Sequence, residues 1–137
     1  MSNEERIVLV AAVCAAGKEG RIDMASLLQE KSKAFALEII RLCKELRTEK
    51  KERVLTDQLL RSGTSIGANV REAAYAHSKA DFIAKLQIAL KECAESEYWL
   101  ELLLESGYCS DREVLERCVE VKKLLVSSLN TAKRNQA

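Results

Sequence analysis

The chain has 137 residues, 47% of them apolar and 31% charged, with a formal net charge of +1. This composition excludes disordered and collagen-like chains, and no apolar run reaches the ~18 residues that a membrane span needs. Proline is absent, glycine occurs five times and aromatic residues make up 4%, which favours long uninterrupted helices over strands and turns. The sequence therefore predicts a soluble all-α protein with no membrane partner.

Residues 1–22 differ from the rest of the chain. An apolar run at 7–16 precedes a turn-like stretch at 17–21 that has no helical periodicity. We interpret 1–22 as an N-terminal extension. It is a disordered tail, an extra strand or helix, or a non-native segment upstream of the true start, since Met24 can serve as an initiator. We expect the main fold to occupy 23–132 and a frayed tail to occupy 133–137.

The first two predicted helices are separated by a highly charged connection. Helix one is predicted from about residue 25 to 48, and helix two from about 57 to 76. Thr56 is placed to serve as the N-cap of helix two, with Leu55 and Leu60 at the two positions of a hydrophobic staple.

Helices three and four each follow a residue that can cap a helix. Ser78, with Asp81 three residues later, opens helix three, which is predicted to end near Gly107. Ser110, with Glu113 three residues later, forms a capping box for helix four, which is predicted to end at about 132. Since the connections are short, neighbouring helices should be antiparallel, which predicts an up-down-up-down four-helix bundle.

Each helix carries an apolar stripe at spacings of three and four, which is typical of a core-facing surface. The positions predicted to face the core are Leu28, Phe35, Ile39, Leu42 and Leu46 in helix one, Leu59, Gly63, Ile66, Val70 and Ala73 in helix two, Phe82, Leu86, Ala89, Cys93, Ser96, Leu100 and Leu103 in helix three, and Val114, Cys118, Val121, Leu125 and Ser128 in helix four.

Polar residues form a second stripe on helix two. Ser62, Ser65, Asn69 and Glu72 share one edge, where they either bond across a helix interface or form a solvated flank. Glu97 interrupts a second apolar stripe of helix three, and it can bond either to that polar edge or to a basic side chain of another helix.

The residue types that usually carry catalysis are scarce. His77 is the single histidine, and the five cysteines include no C-x-x-C pair. We therefore expect no catalytic residue, no metal, no cofactor and no small-molecule substrate. Because the cysteines are odd in number and widely spaced, a reducing cytoplasm is the better fit.

A basic block spans the end of helix one, the first connection and the start of helix two. Its side chains can contact phosphates without reading base sequence, because no aromatic residue lies within the block to stack on bases. Interleaved glutamates make a solvated connection the alternative interpretation. The candidate nucleic-acid-binding residues are Lys44, Arg47, Lys50, Lys51, Arg53 and Arg61.

Three segments resemble the four helix bundle protein family, also called the 23S rRNA intervening sequence protein family. They are RSGTSIGANVREA at 61–73, KADFIAKLQIALKEC at 79–93 and EYWLELL at 97–103. The resemblance covers about residues 27–130. It implies that residues in these segments shape packing or a subunit seam. Those residues are Ser65, Ile66, Asn69, Glu72, Glu97 and Trp99.

The resemblance also implies a bacterial, non-enzymatic protein that forms a homo-oligomer, with a pentamer as the expected state. Relatives of the family include the accessory variability protein of diversity-generating retroelements, which binds nucleic acid and a reverse transcriptase. A scaffold for RNA, DNA or a reverse transcriptase-like protein is thus the first functional hypothesis. The near-neutral charge favours the alternative, a protein-interaction or structural oligomer without affinity for nucleic acid.

Overall fold

The computed structural model describes residues 24–135, which form four helices and contain no strand. Their bounds are α1 Met24–Glu49, α2 Val54–Ala73, α3 Lys79–Glu105 and α4 Glu113–Arg134. Contacts link α1 to α2, α2 to α3, α3 to α4 and α4 back to α1. The predicted four-helix bundle is confirmed, and the predicted extension 1–22 lies outside the described residues.

The predicted core is confirmed almost residue by residue. Every stripe position named above is buried, except Leu42, which is half-buried and packs against the core. No described helix is long and apolar enough to cross a bilayer. Periodicity alone located these positions, since a helix can bury only one face against its neighbours.

Both predicted ends of α3 are confirmed. The hydroxyl of Ser78 accepts a hydrogen bond from the Asp81 N–H at 3.0 Å, as an N-cap should. Gly107 has a φ of 82° and lies at the C′ position. The N–H groups of Gly107 and Tyr108 bond to the carbonyls of Leu104 and Leu103 at 3.2 and 3.0 Å, which is a Schellman motif.

The predicted N-cap and span of α2 are wrong. The helix begins at Val54 and ends at Ala73, about three residues earlier than predicted at each end. Thr56 lies inside its first turn, so Leu55 and Leu60 are not at staple positions. The reason is that another residue, Glu52, binds the free N–H groups of this helix end, as described below.

The capping box at the start of α4 is also wrong. The helix begins at Glu113, and a carboxylate oxygen of Asp111 accepts the Glu113 N–H at 2.9 Å. Ser110 makes no cap because the helix begins two residues later than the box required. The helix extends to Arg134, two residues beyond the predicted end.

The α1 and α2 helices approach closely at Gly63. A Cβ on this residue would lie 3.0 Å from Cγ2 of Ile39 and 3.1 Å from its Cγ1. The absence of a side chain therefore allows α1 to pack directly against α2 at this level.

Candidate nucleic-acid interface

The connection between α1 and α2 turns sharply at residues 50–53. Lys51 has a φ of 56°, in the left-handed region, where a residue with a Cβ costs about 1–2 kcal/mol. The N–H groups of Lys50 and Glu52 both bond to the carbonyl of Leu46, at 2.9 and 3.3 Å. The end of α1 is thereby closed, and the next residues are directed into α2. We call residues 44–61 the α1–α2 corner.

Glu52 holds the N-terminus of α2. Its two carboxylate oxygens accept the N–H groups of Leu55 and Thr56, each at 2.9 Å, and the residue is only 8% exposed. The Thr56 hydroxyl donates back to the Glu52 carbonyl at 3.0 Å. A carboxylate at this position also lies at the positive end of the helix dipole. Sequence analysis missed this role because Glu52 stands in a run of charged residues that resembles a solvated loop.

Arg47 connects the end of α1 to the start of α2. Its Nε donates to the Thr56 hydroxyl at 3.0 Å, and its guanidinium forms an ion pair with Asp57. The Cys43 thiol donates to the Thr56 carbonyl at 3.6 Å, and burial raises the pKa of this thiol to about 11. Arg47 therefore stabilises the corner through its contacts with Thr56 and Asp57, and the Asp57 carboxylate neutralises its charge.

Arg61 lies apart from the other basic residues. It faces α3 and pairs with Glu92 at 3.3 Å and with Glu95. The hydrogen bond to Glu95 is the main cause that raises the pKa of Arg61. Two of the six predicted binding residues, Arg47 and Arg61, thus have carboxylate partners within the bundle.

The remaining four predicted residues have exposed side chains. Within residues 24–135, none of the four makes an ion pair or a side-chain hydrogen bond. Their positive charges project from the end of α1 and from the connection, on a backbone fixed by Glu52 and Arg47. The four residues are Lys44, Lys50, Lys51 and Arg53.

The polar stripe of α2 was predicted either to bond across a helix interface or to form a solvated flank. Two of its residues bond to α3 and the other two do not. Ser62 bonds across the interface to the Ser96 hydroxyl at 2.8 Å, and Glu72 pairs with Lys85 of α3 at 3.3 Å. Ser65 and Asn69 bond instead to carbonyls of their own helix, those of Arg61 and Ser65, at 2.6 and 2.8 Å.

The three other residues named from the resembling segments contribute to packing or to an ion pair between helices. Ile66 is fully buried in the core. Glu97 pairs with Lys122 of α4 at 2.6 Å, so its partner is a basic side chain and not the polar edge of α2. Trp99 is half-buried and meets Tyr98 edge-on, with 5.2 Å between the ring centroids. Tyr98 is 53% exposed.

Sequence analysis also missed an ion pair between α1 and α4 in which the carboxylate is buried and the arginine is exposed. Glu38, only 9% exposed, pairs with Arg117 and lies 3.7 Å from Arg41. Its position between Phe35 and Leu42, at helical spacing, was the available signal that it lies near the core. Among residues 24–135 no group of three or more histidines, cysteines or carboxylates is arranged to hold a metal ion.

Comparisons with known proteins place this geometry in a family. The family model described as 23S rRNA-intervening sequence protein matches residues 26–127. A solved structure of a protein of unknown function from the S23 ribosomal protein family, from Bacteroides thetaiotaomicron, is 48% identical with a TM-score of 0.76. The match covers 78% of this chain and 98% of that chain. No curated protein matches.

Proposed function

Because this chain belongs to the 23S rRNA-intervening sequence protein family, we propose that it is a non-enzymatic, homo-oligomeric scaffold that binds RNA or DNA. The proposal includes a cytoplasmic pentamer as the assembly. It also includes a nucleic-acid enzyme, such as a reverse transcriptase-like protein, as a partner that the scaffold brings to the nucleic acid.

The observation that carries this proposal is the cationic surface of the α1–α2 corner. Lys50, Lys51 and Arg53 are exposed and have no carboxylate partner within the described chain. The network of Glu52 and Arg47 fixes the backbone that carries them. Binding a phosphate here would therefore cost side-chain ordering but little backbone ordering.

Contacts of this kind recognise the phosphodiester backbone and not the bases. Lysine and arginine release counterions from nucleic acid, so the affinity should fall steeply as the salt concentration rises. No aromatic side chain lies within the corner to stack on a base. Repetition in an oligomer would multiply a weak contact, because several corners engage one long strand at a high effective concentration.

The C-terminal half of α3 supplies a candidate subunit seam. Tyr98 is exposed, while Trp99 and Leu102 beside it are half-buried. Apolar surface of this kind suits contact with a second copy of the chain. We expect Tyr98→Glu to reduce the assembly mass measured by light scattering. Tyr75→Glu, the same substitution at an equally exposed tyrosine outside α3, should leave it unchanged.

The test combines assembly mass with nucleic-acid binding. Light scattering measures the mass of the assembly and so gives the number of subunits. Fluorescence anisotropy measures binding of labelled RNA and DNA at two salt concentrations. We expect micromolar or tighter binding that weakens with salt. The variant K50E/K51E/R53E should bind at least about tenfold more weakly and keep its assembly mass.

A matched control reverses three exposed, unpaired cations elsewhere, in K33E/K91E/R112E. It should lose far less affinity than the corner variant. If the wild-type oligomer binds no nucleic acid even at low salt, the proposal is wrong, and the alternative of a protein-interaction or structural oligomer replaces it.

A further inference from the structure

The charges of α4 are segregated along its length. Its three glutamates lie in the first eight residues, and no carboxylate follows Glu120 before the end of the chain. Four basic residues occupy the second part of the helix. These are Lys122, Lys123, Lys133 and Arg134.

Hydrogen-bond donors line one exposed face of this second part. Lys123, Ser127, Asn130 and Arg134 follow one another at spacings of four, three and four, so they share a face, and all four are exposed. The face extends about 16 Å along the helix, at 1.5 Å per residue. Lys133 is exposed beside it. We call these five residues the α4 cationic face.

Shallow cavities run along this face. One of about 450 Å³ is lined in part by Lys123, Ser127, Asn130 and Arg134. A second, of about 570 Å³, is lined by Asn130, Lys133 and Arg134. The two cavities share Asn130 and Arg134 as lining residues, so they lie side by side on this face, and Leu90 and Val126 also line the first.

The cations of this face lack counterions. Lys122, next to the face, is neutralised by Glu97. Within residues 24–135, Lys123 and Lys133 make no ion pair, and Arg134 donates only to the neutral Thr131 hydroxyl, at 3.4 Å. The α4 cationic face therefore presents three positive charges and two neutral polar side chains, without a carboxylate among them.

Helix stability explains only part of this arrangement. Lys133 and Arg134 lie in the last turn, where cations complement the negative end of the helix dipole. Lys123 is about three turns upstream of Arg134, whereas the dipole effect fades beyond the last turn. A ligand that is itself a row of negative charges accounts for all three cations.

We propose that the α4 cationic face is a second phosphate-binding surface, which contacts the phosphodiester backbone of RNA or DNA. The inference rests on the proposed function and adds a site to it. Since α4 contains no aromatic residue, binding here depends on phosphate and not on base identity. At the corner, carboxylates neutralise two of the six basic residues. The α4 cationic face adds three positive charges that have no such partner.

The experiment compares two neutralised proteins with the wild type. The test variant is K123Q/K133Q/R134Q, and the control K33Q/K91Q/R112Q removes the same charge from exposed, unpaired positions on other surfaces. Fluorescence anisotropy with a labelled 20-nucleotide single strand and a 20-base-pair duplex is measured between about 50 and 200 mM salt. Circular dichroism and light scattering verify the fold and the assembly mass of each protein.

We expect the test variant to bind at least about tenfold more weakly at low salt. The slope of log affinity against log salt should shrink by about two units, since each lost phosphate contact removes about 0.7 to 0.9. The control should keep the wild-type slope. Lys123→Gln alone, far from the helix end, should remove about one contact without weakening the last turn.

Two results would overturn the inference and leave the proposed function standing. One is a wild type that binds while the α4 variant keeps the same slope. The other is an equal loss in the control, which would assign the effect to net charge. A wild type that binds neither probe overturns the proposed function itself, and the α4 surface with it.

Discussion

The α1–α2 corner and the α4 cationic face both carry lysine and arginine, but only the corner also carries their counterions. At the corner, Arg47 pairs with Asp57, and Arg61 pairs with Glu92 and Glu95. On the α4 cationic face no carboxylate is present. A cluster of basic residues in the sequence therefore does not by itself show which positive charges are free of a carboxylate partner and able to bind a ligand.

The difference reflects what each region does in the fold. The corner joins two helices, and its ion pairs and hydrogen bonds hold that joint. Within residues 24–135, the side chains of the α4 cationic face make no ion pair or hydrogen bond to another helix, because α4 buries the opposite side of the helix. The following predictions test this contrast between a structural joint and an unpaired surface.

The largest effect should come from the corner's buried carboxylate. We expect Glu52→Ala to lower the free energy of unfolding by about 1–3 kcal/mol, because the N–H groups of Leu55 and Thr56 lose their acceptor. Urea denaturation measures the change. Glu49→Ala, three residues earlier and exposed, should stay within about 0.5 kcal/mol. Equal effects for the two variants would contradict the role of Glu52.

Removing counterions should make the corner more like the α4 cationic face. The variant E92Q/E95Q releases Arg61 from its ion pairs. We expect tighter nucleic-acid binding and a steeper salt dependence, by about one unit of log–log slope. The control E30Q/E105Q removes the same charge where no ion pair exists. If the log–log salt slope steepens equally in the variant and in the control, Arg61 does not contact nucleic acid even after its ion pairs are removed.

Two glycines test the close approach of the helices that carry the corner. Gly67→Ala should raise the free energy of unfolding by up to about 1 kcal/mol, since alanine favours helix and its Cβ would meet Ser32 at an ordinary 3.5 Å. Gly63→Ala should gain less or lose stability, because Ile39 lies 3.0 Å away. Thermal denaturation compares them, and equal gains would contradict the tight contact at Gly63.

The smallest effect should be on the stability of α4. Neutralising Lys133 and Arg134 removes favourable charges from the last turn and should cost about 0.5 kcal/mol, whereas Lys123→Gln should cost almost nothing. Thermal unfolding followed by circular dichroism measures both. A large cost for Lys123→Gln would indicate a structural role and weaken its assignment to ligand binding.

Most of the fold was predictable from the sequence, while the helix ends were predictable only in part. Ser78 and Gly107 were identified because a cap hydroxyl and a left-handed glycine act on neighbouring residues. Thr56 and Ser110 were assigned wrongly, because Glu52 and Asp111 supply the acceptors instead. Several nearby side chains can satisfy one helix end, and local sequence does not rank them.

The candidate site was less predictable than the fold. The sequence identified the basic residues of the corner but not which ones are paired. Arg61 finds Glu92 and Glu95 31 and 34 residues away along the chain, and Lys122 finds Glu97 25 residues away. Such pairs form only when the helices pack, so the spacing of charges along one helix does not reveal them.

By itself, the sequence determined the helices and their buried faces, because helical periodicity and apolar burial are properties of short segments. The tertiary structure decided which charges are neutralised and which remain exposed. Packing brings carboxylates from other helices to Arg47, Arg61 and Lys122 and brings none to Lys123. The electrostatic surface depends on these long-range neighbours.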